Sequence, residues 1–170
     1  YGGNNNILNN NSNKPKNNNI SNNSSGVSTN EFTIEAYCDS DWAGDLETRR
    51  SRTGYCVSIN GGLISWSSTL QKGLPALSSA EAEYNAMCEA AKSMLYVRNI
   101  ILEIQIDLFG RKVLNEEPMI LHEDNNGARD IAEGRGGKRT RHIDVKTHFV
   151  RGAIEKRLIK VVRVDSTENV

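Results

Sequence analysis

Thr53-Gly-Tyr-Cys-Val-Ser-Ile-Asn-Gly-Gly-Leu-Ile-Ser-Trp-Ser-Ser68 is the stretch that decides the architecture. Its two runs, Thr53 to Ile59 and Leu63 to Ser68, alternate apolar and polar residues as strand pleating requires. Asn60-Gly61-Gly62 lies between them, and Asn-Gly is the strongest short hairpin signal because both residues tolerate positive φ. The hairpin leads into Leu77-Ser-Ser-Ala-Glu-Ala-Glu-Tyr84. There Ser78 fits a helix N-cap, with Glu81 reaching back from three residues on. A helix is therefore predicted from Leu77 to about Ile104. Met87, Ala90, Ala91, Met94 and Ile101 share one face at helical spacing, and Asn85, Glu89, Lys92, Asn99 and Glu103 share the other.

Upstream, Phe32 to Asp39 is a further alternating strand. Downstream, Pro118 introduces Met119 to Glu123, a short run with the character of a central strand. Asp124-Asn-Asn-Gly then opens a short helix to about Glu133. A glycine-rich basic loop follows, from Gly134 to Arg141. A helix from about Ile143 to Lys156 carries Val145, Phe149, Val150 and Ala153 as its apolar stripe, and Leu158 to Val164 is the last strand. Three sequential strands followed by alternating helix and strand imply an α/β mixed sheet with helices packed on it. No internal repeat is evident.

Residues 1–30 contain thirteen asparagines and five serines, with two lysines as the only charges. So few apolar side chains cannot offset the entropy of ordering the segment, and a disordered tail or linker is expected there. Residues 31–170 form the expected folded domain, within the usual 100–200 residues of one domain. Twenty-one Lys and Arg balance twenty-one Asp and Glu. Such neutrality argues against a binder that relies on bulk phosphate neutralisation, but leaves room for a local basic patch. Cys38, Cys56 and Cys88 have no metal-ligand spacing and are odd in number, and so are expected to be reduced in an intracellular protein. No apolar run approaches a membrane span. No basic region followed by an apolar core marks a secretory leader. Tyr1 in place of Met suggests a piece of a longer chain.

Most acidic residues here have solvated or capping roles. Three stand apart. Glu83 precedes Met87 by four residues, Ala90 by seven and Met94 by eleven, which puts it on the sheet-facing side of its helix. Uncompensated burial of a carboxylate costs several kcal/mol, so it needs an arginine, a donor set or a cation. Asp39 ends the first strand, and Asp124 lies between the fourth strand and a helix, where sites gather in α/β sheets. Each alone could serve as a turn or N-cap residue. Together they can converge with Glu83, and no lysine or arginine in these motifs neutralises them. Clustered carboxylates hold hard divalent cations, Mg²⁺ or Mn²⁺, which support phosphodiester hydrolysis.

Tyr37-Cys38-Asp39-Ser40-Asp41-Trp42-Ala43-Gly44-Asp45 resembles the opening of the ribonuclease H domain of copia-type LTR retrotransposon Pol polyproteins. Ser51-Arg-Thr-Gly-Tyr55, Ile64-Ser-Trp-Ser-Ser68, Leu77 to Tyr84, Asp124-Asn125, Arg141-His-Ile-Asp144 and His148-Phe149 continue the likeness in order, over about residues 35–165. The resemblance implies a ribonuclease H-like fold, a five-stranded mixed sheet flanked by helices. It implies cleavage of the RNA strand of RNA–DNA hybrids during reverse transcription, beside the reverse transcriptase domain of the same polyprotein. An intracellular setting is expected, in the cytoplasm and within virus-like particles, with no membrane partner.

Asp39, Glu83 and Asp124 match the family's catalytic and metal-binding carboxylates, and Asp39 is preferred to the nearby Asp41. Ser40, Ser79 and Asn125, with Arg139 and Arg141 of the basic loop, are the expected nucleic-acid contacts, although that loop could equally be a solvated one. His142 and Asp144 stand second to these. They precede the last strand, whereas the family's fourth carboxylate follows it, and orienting a helix is the simpler role. Trp42 and Trp66 are expected to be packing residues. The chain ends where the family's final Ala-Asp pair and helix would begin, so truncation and weak activity are expected. A degenerate transposon fragment that keeps the fold and nucleic-acid binding is the alternative.

Overall fold

The computed structural model describes residues 31–135 and 144–169 together with Gly2. The elements run β1 (Ile34–Asp41), β2 (Arg52–Ile59), β3 (Gly62–Leu70), α1 (Ser79–Phe109), β4 (Met119–Glu123), α2 (Asn126–Ala132), α3 (Asp144–Glu155) and β5 (Ile159–Arg163). This is the order expected from the sequence. The strands form one sheet in the order β3-β2-β1-β4-β5. β1 and β2 pair antiparallel, as do β2 and β3, while β4 runs parallel to both β1 and β5.

The β2–β3 turn has φ of 48° at Asn60 and 79° at Gly61, the double positive φ that a tight twisted hairpin requires. The Asn60 side-chain oxygen also accepts the Thr33 N–H at 2.9 Å, which ties the turn to the start of β1. Ser78 caps α1, its hydroxyl accepting the Glu81 N–H at 3.2 Å. The Glu81 carboxylate returns to the Leu77 N–H at 2.8 Å. The helix continues five residues past the predicted Ile104 because nothing before Gly110 favours a stop. Gly110 closes it in the left-handed conformation, at φ 66°.

The core lies between α1 and one face of the sheet. Tyr84, Met87 and Met94 are wholly buried, as are Ala36, Val57 and Leu121 of the strands. α2 and α3 pack beside α1 and add Ile131 and Val150. Each large apolar side chain removed from water contributes about 1.5–3 kcal/mol.

The packing expectations hold only in part. Trp66 is 71% exposed. The hydroxyls of Ser65 and Ser93 of α1 lie 3.1 Å apart, so strand alternation turns the next residue, Trp66, to the face away from the helix. Trp42 is half exposed and is held through its indole N–H, which donates to the Ala76 carbonyl at 3.1 Å. In the α3 stripe, Val150 and Ala153 are buried but Phe149 is 38% exposed. The side chain of Val145 lies outside the described residues.

Candidate active site

Asp39 does not end its strand as expected. β1 pairs with β2 as far as Asp41, with Asp39 opposite Gly54. The parallel pairing of β1 with β4 stops earlier, at Tyr37 and His122. Asp39 therefore lies just beyond the point where β1 and β4 separate, and the gap between them opens toward α1. Asp41 is exposed and lies against Gly44, where a Cβ would fall 1.9 Å from a carboxylate oxygen of Asp41. A larger residue there would require the exposed Asp41 side chain to swing away.

Glu83 enters this gap from the first turns of α1 and is buried. Asp124 enters it from the β4–α2 turn. Ligand oxygens of Asp39, Glu83 and Asp124 lie within 4.8 Å of one another, so the three carboxylates singled out in the sequence form one cluster. The approach depends on Gly127 in α2. A Cβ there would lie 2.9 Å from the Ala80 Cβ of α1, so glycine allows the two helices to close on the site.

Asp124 is free for the cluster because Asn125 caps α2, its side-chain oxygen accepting the Ala128 N–H at 3.0 Å. The bare N-cap alternative for Asp124 is thereby set aside. It also commits the Asn125 oxygen, one of the expected nucleic-acid contacts. Ser40 is buried on β1, and its hydroxyl lies toward Glu83, where it partly offsets the upward shift of that carboxyl. Ser79 is exposed at the first position of α1. Arg139, Arg141 and His142 lie outside the described residues, as does the side chain of Asp144, the first residue of α3.

The electrostatics are those of uncompensated anions. Burial, then the neighbouring carboxylates Glu123 and Asp39, push the Glu83 carboxyl up to about 8. Burial, followed by the charge of Asp124, raises Asp39. Among the described residues, no lysine or arginine forms an ion pair with any of the three. One Glu83 oxygen is buried without a partner. Clustered all-oxygen donors with an orphaned buried oxygen suit a hard divalent cation.

A fourth acid, Glu123, escaped the sequence reading, in which it was only the last residue of a strand. It is wholly buried, and burial pushes its carboxyl up to about 7. Its oxygens accept the Asn125 N–H at 3.0 Å and the Cys38 thiol at 3.2 Å. After β5, the Asn169 amide donates to the Cys38 carbonyl at 2.9 Å, so the chain returns to the residue preceding Asp39. Asp165 instead holds Thr167 in an exposed turn.

The chain is 35% identical over 137 residues to the "Retrovirus-related Pol polyprotein from transposon TNT 1-94" of Nicotiana tabacum, covering 80% of this chain and 10% of that protein. It is 33% identical over 138 residues to the transposon RE1 Pol polyprotein of Arabidopsis thaliana, covering 81% of this chain and 9% of the relative. The chain is a ribonuclease H-like domain of the copia-type Pol family. It spans about a tenth of the length of these curated relatives. Its fold is similar to that of ribonuclease H1 from Halobacterium salinarum, with a TM-score of 0.52, 14% identity and coverage of 79% and 87% of the two chains. The compost-derived LC11 ribonuclease H1 gives a TM-score of 0.54, 15% identity and coverage of 81% and 87%. No protein-family model matches the chain. No helix among the described residues of this ribonuclease H-like domain is long and apolar enough to cross a membrane.

Proposed function

We propose that this domain is a metal-dependent endonuclease that cleaves the RNA strand of RNA–DNA hybrids during retrotransposon reverse transcription. The observation that carries the reading is the cluster of Asp39, Glu83 and Asp124 within 4.8 Å, with no lysine or arginine among the described residues in an ion pair with it. The LC11 ribonuclease H1, solved in complex with an RNA/DNA hybrid, shares the fold at a TM-score of 0.50 and 15% identity. That likeness supports the same substrate class here.

Asp39, Glu83 and Asp124 would hold Mg²⁺ or Mn²⁺. When bound, such ions generate a nucleophile from water and stabilise the leaving oxygen of a phosphodiester. Glu83, on the most buried arm of the cluster, excludes bulk water from one side of the site. Ser79 is one helical turn before Glu83 and exposed, where its hydroxyl can reach the sugar–phosphate backbone. Arg139 and Arg141 are proposed as phosphate contacts, which position a strand without reading its sequence. The reverse transcriptase domain of the same polyprotein is the proposed neighbour, and the cytoplasm and virus-like particles the proposed setting.

The test is cleavage of a duplex with end-labelled RNA, alongside single-stranded RNA and double-stranded DNA, with Mg²⁺, with Mn²⁺ and with a chelator. Metal-dependent cleavage of the hybrid alone is expected, and Asp39→Asn and Asp124→Asn should abolish it in folded protein. Cleavage that persists in both variants would refute the assignment.

A further inference from the structure

Glu123 sits where the core would favour an apolar side chain. It continues the buried side of β4 after Leu121 and is wholly inaccessible. Burying a carboxyl costs free energy that a hydrogen-bond set must offset. The set it has is specific in place. One oxygen accepts the backbone N–H of Asn125, the residue after Asp124, at 3.0 Å. The other accepts the thiol of Cys38, the residue before Asp39, at 3.2 Å. Its own carbonyl accepts the Val164 N–H beyond β5 at 3.3 Å. A single side chain therefore brackets the two backbone segments that carry Asp39 and Asp124, at the level where β1 and β4 no longer pair. Glu123 is not itself in the group of ligand atoms within 4.8 Å. It lies behind that group.

We infer that Glu123 is a positioning residue, whose hydrogen bonds to Asn125 and Cys38 fix the separation of Asp39 and Asp124 and with it the affinity of the site for a divalent cation. The inference rests on the metal-site reading above. Residues that orient metal ligands commonly change metal affinity by about 10–100-fold when removed. An amide in place of the carboxyl retains an oxygen for the Asn125 N–H and an NH₂ toward the Cys38 sulfur. Hydrogen bonding and charge are thus separable.

The experiment titrates Mn²⁺ into the full chain, following free Mn²⁺ by electron paramagnetic resonance, with a thermal melt of each metal-free variant. Glu123→Val should bind Mn²⁺ at least about tenfold more weakly with a metal-free Tm close to the parent's. Glu123→Gln should stay within about threefold of the parent, since the bond to Asn125 survives. Cys38→Ala removes one arm of the bracket and should fall between them, and it carries the test if the valine variant does not fold. Parent-like Mn²⁺ affinity in folded Glu123→Val or, failing that, in Cys38→Ala overturns the positioning role and leaves the metal site standing. Equal weakening in Glu123→Gln and Glu123→Val also overturns it, because charge would then be responsible. If the parent chain binds no Mn²⁺, the metal-site reading fails and this inference fails with it.

Discussion

Replacing Glu83 with glutamine should stabilise the metal-free protein at alkaline pH and leave it unchanged in acid. Glu83 has an ordinary carboxyl value of 4.5 when the chain is unfolded and about 8 in the fold. Between these values the folded state holds a proton that the unfolded state has released. Its stabilising contribution is therefore complete below about pH 4.5 and is lost as pH rises toward 8. At about 1.4 kcal/mol per pH unit, the upper bound on that loss is about 5 kcal/mol. Water that reaches the cluster's open side and ionic screening reduce the figure to about 2 kcal/mol. For a domain near 150 residues, about 2 kcal/mol corresponds to a Tm difference of about 4–8 °C.

The assay is differential scanning calorimetry of both proteins in chelator, from pH 5 to pH 9. Near pH 5 the folded forms both carry a neutral group at this position, and the Tm gap should be at its smallest there. At pH 9 Glu83→Gln should melt about 4–8 °C higher, because one of four crowded carboxylates is gone. Saturating Mg²⁺ should narrow or invert the gap by rewarding the parent's ligand. A constant offset at every pH would refute the reasoning, since it would place the effect of Glu83 in packing and not in charge.

Three further outcomes follow from the geometry. In the parent chain, Mg²⁺ at about 100 times its Kd should add about 2.7 kcal/mol of stability by linkage, read as a rise in Tm, and a melt unchanged by Mg²⁺ counts against the site. Gly127→Ala gains about 1 kcal/mol of helix propensity but loses about 1–3 kcal/mol to overpacking against Ala80. It should weaken Mn²⁺ binding more than it lowers Tm, and parent-like binding would show that α2 can move away without disturbing Asp124. Deleting residues 1–30, whose composition offers little to dock, should leave the unfolding midpoint unchanged, and a drop of several degrees would show that the tail packs on the domain.

What was legible in the sequence was what depends on neighbours in the chain. Asn60-Gly61 announces the hairpin because its φ values are local, and Ser78 announces α1 because an N-cap is satisfied within one turn. Glu83 could be placed on the sheet side of α1 from helical spacing alone. Trp66 could not be placed in the same way. Alternation fixes it opposite Ser65, but which of the two faces α1 depends on the Ser65–Ser93 contact, twenty-eight residues apart. The limit of β1 was misplaced for a similar reason. Its pairing with β2 outlasts its pairing with β4, and a sequence read one strand at a time carries no record of either partner.

The same limit explains why Asp124 stayed ambiguous. Asp124-Asn125-Asn126 offers three consecutive residues able to cap a helix, and propensity ranks aspartate and asparagine about equally at that position. A cap at Asp124 would start α2 one residue earlier and turn that carboxylate onto backbone N–H groups, away from Asp39 and Glu83. Two contacts distant in sequence favour the later start. Gly127 must face Ala80 for α2 to approach α1, which fixes the rotation of the helix about its axis. Glu123 accepts the Asn125 N–H, which holds the cap residue outside the first turn. Starting the helix one residue earlier would move the point where the incoming chain joins it by about 100° around the axis, which turns residue 124 away from the cluster. The choice of cap and the assembly of the carboxylate cluster are therefore one event, set by a glycine and a buried acid that carry no ligand themselves.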